Sequence, residues 1–439
     1  MAELLANHFW VYSFMGRMIT VISYCLTPFL APFLAGRLYL KGRRSKAYGL
    51  RISERFSLGD RAVMPVDVWL HAVSLGEVVA ASPLIEAMLA KRWRVLVTTM
   101  TPTGSQHVIE RFGSSVVHQY LPYDLPWSLR RFFKKYQPRL GLIMETELWP
   151  NLIDQAKKAE LPLFLLNARL SDKAFKQYEK VTFIFKPILS QFTAIFAQTD
   201  KDAKRFIQLG ALVNAVHTLG NMKFDVQIPK TAKKDCVQLK AKWGEERTVF
   251  IAASTHDDEE SQLLSRLNQL KAIIPHVILL LVPRHPERFA AVYQLSVAYG
   301  FKTAYRSVPA SIDTDTEVVI VDSLGELLHF YQMSDYAFVG GSLVPVGGHN
   351  VLEPIAMQVP VFCGPYMHNS NVICQSLTAA GALHMVNNAE ELVGALSAMH
   401  QNNKQRQQQI ANASAVLEVN RGTVARYMEQ IEAILKAKS

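Results

Sequence analysis

The residues best suited to chemistry are carboxylates that follow short apolar runs. Glu77 ends the segment HAVSLGE at residues 71–77, directly after the run VDVWL. Its spacing of three from Ser74 matches the capping pattern in which a carboxylate folds back on a helix start. A positioned carboxylate can also act as a general base toward a substrate hydroxyl. The spacing alone leaves both interpretations open.

Two later segments repeat this form. Ser323 precedes Glu326 by three residues, and Asn350 precedes Glu353 by the same spacing, with Asn350 the looser match. Each segment predicts a capped helix. A helix start also presents free N–H groups to an anion, so a cap and a ligand site are compatible.

The segment GGSLVPVGGHN at residues 340–350 contains four glycines, Gly340, Gly341, Gly347 and Gly348. Such a density favours sharp turns or a close approach of backbone to a ligand. Free amides there, followed by a helix, would form a phosphate seat. The alternative is a flexible surface loop. The chain contains neither GxGxxG nor GxxxxGK[ST], so no dinucleotide or P-loop motif is indicated.

Basic side chains supply a second requirement for binding phosphate. Arg284 and Arg288 in PRHPER offer guanidinium forks, whereas His285 fits a backbone hydrogen bond as well as a catalytic role. Lys223 in GNMKFD either points into a cleft between two halves of the chain or belongs to a solvated linker. These residues predict an anionic ligand without identifying it.

The segment METELWPN places Glu145 and Glu147 two residues apart, and at a strand end only one of them needs to enter a cleft. No histidine lies nearby to complete a metal set and no DxD motif occurs, so we expect no essential divalent metal. The four cysteines form no CxxC pair or zinc spacing. Reduced thiols in a cytoplasmic compartment are therefore expected.

Alternating strand-like and helix-like segments must position these residues. Continuous apolar runs are typical of strands buried on both faces of a parallel sheet. The pattern restarts after a lysine-rich stretch at 228–247, so each half of the chain is predicted to form its own doubly wound α/β sheet. The candidate residues follow strands, where open α/β sheets bind ligands. The clearest runs are VDVWLHAV, RVLVTTM and LGLIMETE in the first half and TVFIAAST, VILLLVPRH and YAFVGGS in the second.

Composition narrows the class of partner. The 439 residues carry a formal charge of +10, which suits nucleic acid, anionic lipid or a phosphorylated substrate. No nucleic-acid recognition motif occurs, so we expect no nucleic-acid partner. Residues 9–40 are almost uncharged and precede the basic cluster KGRRSK. This arrangement predicts an N-terminal membrane anchor with the remainder on the cytoplasmic side.

Taken together, several motifs resemble the Kdo transferases of lipopolysaccharide synthesis, which move 3-deoxy-D-manno-octulosonic acid (Kdo) from CMP-Kdo onto a lipid A precursor. The motifs are HAVSLGE, TTMTPTG, METELWPN, STHDDEE, LVPRHPER and FVGGSLVPVGGHNVLEP. The resemblance implies an α/β fold of GT-B type, with two Rossmann-like domains facing across a cleft behind a membrane-anchor helix. The implied domains are an anchor at 1–45, an acceptor-binding domain at 46–225 and a CMP-Kdo-binding domain at 226–439 whose last helix crosses back.

The resemblance also implies roles for individual residues in a metal-independent, inverting transfer. Glu77 matches the family's general base, and Glu145 and Lys223 match its transition-state partners. The implied acceptor is lipid IVA at the cytoplasmic leaflet of the inner membrane. The implied donor contacts include two glycines of the loop at 340–350. They are Pro283, Arg284, Leu324, Gly325, Glu326, Gly347, Gly348, Asn350, Val351, Leu352 and Glu353.

Two other functions fit the same motifs. One is a GT-B enzyme that uses a UDP-sugar with a lipid-linked acceptor, and the other is a membrane-tethered protein that binds nucleotides without turnover. Trp69 and Trp149 are candidates for contact with acyl chains, although a role in the core is the stronger expectation for both.

Overall fold

A computed structural model describes residues 49–59, 62–226, 244 and 246–437, together with residues 34, 36, 38 and 43. The predicted anchor at 1–45 and the lysine-rich stretch at 228–247 lie mostly outside the described residues. Among the described residues, no helix is both long and apolar enough to cross a bilayer. The chain divides into two compact units, one of Met1–Asp225 with Gly422–Ser439 and the other of Val226–Arg421.

The first unit is built on a sheet of seven parallel strands in the order β3-β2-β1-β4-β5-β6-β7. Val68 in β1 pairs with Val95 on one side and Leu140 on the other. Every residue of β1, β2, β4, β5 and β6 is buried, which explains their continuous apolar runs. The strands are β1 (Val68–His71), β2 (Val95–Thr99), β3 (Val117–Tyr120), β4 (Leu140–Met144), β5 (Leu163–Ala168), β6 (Ala194–Ala197) and β7 (Val216–Thr218).

Helices cover both faces of this sheet. Those of the first unit are α1 (Leu75–Ala90), α2 (Pro102–Phe112), α3 (Pro126–Tyr136), α4 (Pro150–Lys158), α5 (Asp172–Glu179), α6 (Thr182–Leu189), α7 (Asp200–Gln208) and the last helix of the chain. One core layer joins the sheet to α1, α2 and the last helix, and the other joins it to α3–α7.

The last helix, Thr423–Ala437, belongs to the first unit although it follows the whole of the second in sequence. Tyr427 and Ile431 are fully buried in the layer shared with α1. Their spacing of four places them on one face of the helix. The second unit therefore begins at the expected boundary near residue 225, but it ends at Arg421 rather than at the end of the chain.

The second unit has its own sheet of seven parallel strands, in the order β10-β11-β9-β8-β12-β13-β14. The strands are β8 (Val249–Thr255), β9 (Ile278–Pro283), β10 (Thr303–Tyr305), β11 (Val318–Ile320), β12 (Tyr336–Val339), β13 (Val361–Cys363) and β14 (His384–Met385). The helices are α8 (Glu259–Ile273), α9 (Phe289–Ala298), α10 (Leu327–Met333), α11 (Leu352–Ala356), α12 (Asn371–Ala379), α13 (Ala389–Gln401) and α14 (Asn403–Asn420), and the last helix of the first unit is α15.

Both sheets are doubly wound, which confirms that part of the predicted fold. The strand order reverses between β1 and β4 in the first unit and between β8 and β12 in the second. Open α/β sheets bind ligands outside the carboxyl ends of their strands at such a reversal. Glu77 follows β1 and Glu145 follows β4, whereas Gly340 follows β12. These three residues therefore lie at the two places where the fold favours binding.

Candidate active site

Glu77 lies in the first turn of α1, after the tight connection from β1. Its Oε2 accepts a hydrogen bond from the Val73 N–H at 2.8 Å, and its Oε1 accepts one from the Ser74 hydroxyl at 2.9 Å. The residue is only 8% exposed. The carboxylate thus folds back on the start of α1, as the capping pattern predicts, but it accepts from the N–H of Val73 rather than that of Ser74, and the Ser74 side chain caps no backbone N–H. An ionised carboxylate retains further lone pairs.

Burial sets the proton affinity of Glu77. The pKa of Glu77 rises from 4.5 to about 7, chiefly because burial removes solvation from the charged form; the Val73 and Ser74 bonds lower it, and the charges of Glu145 and Glu147 add to the rise. A carboxylate with a pKa near neutrality can accept a proton and later release it at physiological pH. The Glu77 carboxylate can therefore both bond the start of α1 and act as a general base.

Glu145 and Lys223 form an ion pair although 78 residues separate them in the sequence. The Lys223 Nζ lies 3.0 Å from the Glu145 Oε1, and the two side chains are 29% and 32% exposed. Glu145 follows β4 with a left-handed backbone, φ 57°, and its N–H donates to the Leu166 carbonyl at 2.8 Å. Of the two expectations for Lys223, the structure excludes a freely solvated linker lysine.

Glu147 is held differently. Its Oε2 accepts a hydrogen bond from the Trp149 indole N–H at 2.5 Å, and burial raises its pKa. Trp69 is fully buried and donates to the Thr98 hydroxyl at 2.8 Å, so its role is in the core. Trp149 packs partly buried against the same core layer. Only Glu145 of the METE pair has a cationic partner among the described residues.

The glycine-rich loop of the second unit is packed, and the amides of its four glycines are not free, contrary to what the glycine density suggested. The N–H groups of Gly347 and Gly348 both donate to the Gly341 carbonyl, at 3.1 and 2.7 Å. All three glycines have positive φ, and a Cβ at Gly348 would lie 2.0 Å from the Met367 sulfur. Glycine is required here by close packing, which also excludes the alternative of a flexible loop.

Sequence reasoning missed Glu259, the residue that anchors this loop. Its carboxylate is fully buried and accepts four backbone N–H bonds, from His256, Gly341, Ser342 and Leu343, at 2.7–2.9 Å. Burial raises its pKa, and the four bonds oppose that rise. The available signal was the segment STHDDEE after β8, but its pattern does not indicate which carboxylate turns inward.

The two arginines of PRHPER have separate roles. Arg288 forms ion pairs with the buried Glu260 at 2.6 Å and with Asp257 at 3.0 Å, so it is a structural residue. Arg284 follows Pro283 at the end of β9, its N–H donates to the Thr255 carbonyl, and its exposed guanidinium has no ion pair within the described part of the chain. Arg284 is thus the arginine available to an anion.

Two histidines that the motifs did not single out lie beside Arg284. The Nε2 atoms of His256 and His349 are 2.8 Å apart and their rings are nearly parallel. His285 packs edge-on against His256 at 5.3 Å between ring centroids. Burial lowers the pKa of His349 to about 4, so its ring is neutral at pH 7. His349 therefore presents a neutral imidazole, rather than a cation, near Arg284.

The remaining predicted donor contacts lie in two turns of the second unit. The Glu326 carboxylate accepts a hydrogen bond from the Ser323 hydroxyl, and its Oε1 lies 3.3 Å from a guanidinium nitrogen of Arg306. However, α10 begins only at Leu327. The predicted capping of a helix by Ser323 is therefore wrong. In the same turn, Leu324 is 75% exposed and Gly325 has φ 82°.

Asn350 organises the second turn. Its Oδ1 accepts the Leu352 N–H at 3.0 Å, and its Nδ2 donates to the Glu353 Oε1 at 3.1 Å. Val351 and Leu352 are buried, and burial raises the pKa of Glu353. The turn is thus a rigid start to α11. In the described ranges, no group of three histidine, cysteine or acidic side chains is arranged to hold a metal ion.

Comparisons with known proteins place this geometry in a family. Residues 50–226 match the family model for 3-deoxy-D-manno-octulosonic-acid transferase (kdotransferase). The 3-deoxy-D-manno-octulosonic acid transferase of Haemophilus influenzae is 38% identical over 399 residues, which are 90% of this chain and 93% of the relative. The solved C-terminal CMP-Kdo binding domain of WaaA from Acinetobacter baumannii is 36% identical and covers 43% of this chain and 99% of its own, with a TM-score of 0.42.

The fold alone is shared more widely. A solved UDP-N-acetylglucosamine 2-epimerase is 12% identical, covers 84% of this chain and 96% of its own, and has a TM-score of 0.52. The extent and identity of the match to the Haemophilus enzyme show more than a common fold. The chain belongs to the 3-deoxy-D-manno-octulosonic acid transferase family, and it is a glycosyltransferase that transfers Kdo in lipopolysaccharide synthesis.

Proposed function

We propose that the chain transfers Kdo from CMP-Kdo to a lipid A precursor, lipid IVA, with Glu77 as the general base. The observation that carries the proposal is a buried carboxylate with a pKa of about 7 at the carboxyl end of β1, next to the Glu145–Lys223 ion pair. A base of that pKa is matched to removing a proton from a sugar hydroxyl near neutral pH.

The proposed reaction is an inverting substitution at the anomeric carbon of Kdo. The acceptor oxygen forms the new C–O bond while the bond from that carbon to the CMP phosphate oxygen breaks, and that oxygen keeps the electron pair. The hydroxyl proton passes to the Glu77 carboxylate. The Lys223 ammonium, which the Glu145 carboxylate holds in the first unit, is proposed to stabilise the negative charge that develops in the transition state.

The second unit is proposed to bind the donor. Arg284 is exposed, lies at the end of β9 and has a guanidinium that suits a phosphate. Glu326 and Glu353 are held in fixed turns, so their carboxylates can accept bonds from ribose hydroxyls without reorganisation. The four glycine amides of the loop already have acceptors within the protein, so the proposed phosphate contact is assigned to Arg284 rather than to those amides.

We further propose that transfer is independent of metal ions and occurs at the cytoplasmic leaflet of the inner membrane. Neutralisation of the leaving phosphate by fixed cationic side chains is the chemical basis of the first proposal. The second is supported by the uncharged N-terminal run, the basic cluster after it and a net charge of +10. Basic side chains near an anionic leaflet each contribute about 1 kcal/mol of attraction.

The test is a mass analysis of products from the purified full chain. Tetra-acylated lipid A precursor is incubated with a CMP-Kdo generating system and, in parallel, with UDP-sugars. A product heavier by one or more Kdo residues, formed only with CMP-Kdo, is the expected result. Product formed from a UDP-sugar would support the alternative glycosyltransferase, and CMP binding without product would support a binding protein.

A further inference from the structure

The short turn that carries Lys223 needs external support to hold its ammonium in place. Lys223 is the middle residue of the 3₁₀ turn Met222–Phe224, whose two apolar neighbours are buried. Its Nζ lies 3.0 Å from the Glu145 Oε1. A three-residue turn has little internal hydrogen bonding, so the position of Lys223 depends on what holds the turn to the sheet.

Asn167 provides that support from the end of β5. It is fully buried and has φ 52°, a left-handed conformation that asparagine tolerates better than most residues. The pairing of β5 with β6 slips between Leu165 and Ala168, so Asn167 lies in a bulge. Its Oδ1 accepts the Met222 N–H at 3.2 Å. The amide therefore binds the turn directly.

A second branch reaches the same turn through Gln198. The Asn167 carbonyl accepts the Gln198 Nε2–H at 2.9 Å, and the Gln198 Oε1 accepts the Asn221 Nδ2–H at 3.0 Å. The Asn221 Oδ1 then accepts the Lys223 N–H at 3.0 Å. Two amide side chains, those of Gln198 and Asn221, thus connect the backbone of the bulge in β5 to the backbone of Lys223.

The last helix completes the network. The Tyr427 hydroxyl in α15 accepts the Asn167 N–H at 3.0 Å and donates to the Phe196 carbonyl at 3.4 Å. Asp225, at the other end of the lysine turn, accepts the N–H groups of Gly422 and Val424 at the start of α15. The turn is therefore held on one side by Asn167 and on the other by the beginning of α15.

We propose that Asn167 is a positioning residue for the reaction, acting through Lys223. The inference rests on the proposed role of the Glu145–Lys223 pair. The same stretch of β5 also holds the partner, because the Leu166 carbonyl accepts the Glu145 N–H. An asparagine here satisfies the left-handed backbone and offers a neutral acceptor to Met222 N–H, whereas an aspartate would bury a second charge near Glu145.

The test is a double-mutant cycle in the full chain between Asn167→Gly and Lys223→Ala. Glycine keeps the left-handed backbone and removes the acceptor. Because misplacing a reacting group by about 1 Å can cost about 100-fold in rate, we expect Asn167→Gly to lower kcat by about 10- to 100-fold with little change in either KM. In the Lys223→Ala background the same substitution should have no further effect.

A second measurement, hydrogen exchange of the amides of residues 221–225, does not depend on turnover. Asn167→Gly should accelerate this exchange. Leu129→Ala is the matched control. Leu129 is fully buried in the core layer formed with α3–α7, whereas Tyr427 lies in the layer on the opposite face of the same sheet. The Leu129→Ala substitution should lower the free energy of unfolding without altering kcat or the hydrogen exchange of the amides of residues 221–225.

The outcomes separate the two proposals. Multiplicative losses in the cycle, a full rate in Asn167→Gly or unchanged exchange would each overturn the role of Asn167. A wild-type chain that makes no Kdo product would overturn the proposed function, while the exchange result would still decide whether Asn167 holds the turn. If Asn167→Gly does not fold, Asn167→Ala, which also removes the acceptor of the Met222 N–H, enters the same cycle with the same expectation.

Discussion

Replacing Glu77 by glutamine should make the protein more stable at pH 8 and nearly inactive. The amide can accept from the Val73 N–H and donate to the Ser74 hydroxyl, so both contacts of the carboxylate have a counterpart. What disappears is the cost of keeping a charge in a site that is 8% exposed.

The magnitude follows from the pKa of Glu77. The folded protein binds this proton more tightly than the unfolded chain, because the pKa rises from 4.5 to about 7. The stability gained from protonation is fully present below pH 4.5, falls as the pH rises and is lost above about pH 7, with a total of about 3 kcal/mol. The pKa of about 7 already includes the hydrogen bonds from Val73 and Ser74 to the carboxylate. Glu77→Gln, which is neutral at every pH, should therefore be more stable than the wild type by about 3 kcal/mol at pH 8.

The assay is urea unfolding of both proteins between pH 5 and pH 8, with turnover measured on the same preparations. The stabilisation by glutamine should shrink toward pH 5, and its rate at pH 8 should fall about 100- to 10,000-fold, the usual contribution of a general base. In the wild type, kcat/KM should rise with pH to a plateau above about pH 7.

The matched control is Glu86→Gln on the same helix. Glu86 is exposed and forms a surface ion pair with Arg111 at 2.7 Å, which is worth at most about 1 kcal/mol. It should change neither the pH dependence nor the rate. A Glu77→Gln protein that is less stable than wild type at pH 8, or that keeps more than a tenth of the rate, would refute the reasoning.

Three further predictions concern the donor and the second unit. In steady-state kinetics, Arg284→Ala should raise the donor KM by about 10- to 100-fold with a smaller effect on kcat. The donor KM of Arg284→Lys should lie between those of the wild type and Arg284→Ala. An unchanged donor KM in Arg284→Ala would contradict the proposed phosphate contact. Glu259→Gln should lower the unfolding free energy of the second unit by about 1–3 kcal/mol in urea titrations, because an amide nitrogen would face backbone N–H donors; full stability would contradict the four-bond anchor. Dialysis against EDTA should leave the rate of Kdo transfer within about twofold, and a loss restored by a divalent ion would refute metal independence.

Some features were predictable because their causes are local. The runs around Val68 and Ile251 are predominantly apolar and do not alternate with polar residues, and such runs are typical of strands covered on both faces. The Ser74–Glu77 contact spans three residues, so its spacing predicted it. The Ser323–Glu326 spacing predicted a contact that forms, but not the start of the helix, which begins one residue after Glu326.

The glycine-rich loop shows why an amide's availability could not be predicted. Its composition indicated unusual backbone, and Gly341, Gly347 and Gly348 do adopt positive φ. Whether their N–H groups point to a ligand depends on distant acceptors. Glu259, 82 residues from Gly341, accepts its N–H, and the Gly341 carbonyl accepts those of the other two.

The amino-acid sequence by itself determined the alternation of strands and helices, the closed start of α1 and the family motifs, because each depends on residues a few positions apart. Tertiary structure alone decided that Lys223 pairs with Glu145 and that Tyr427, 260 residues from Asn167, supports the turn beside it. These contacts form only when parallel strands bring their carboxyl ends to one edge and a helix from the end of the chain packs on the first sheet. No spacing in the sequence encodes such a meeting, since its geometry is set by the packing of whole elements.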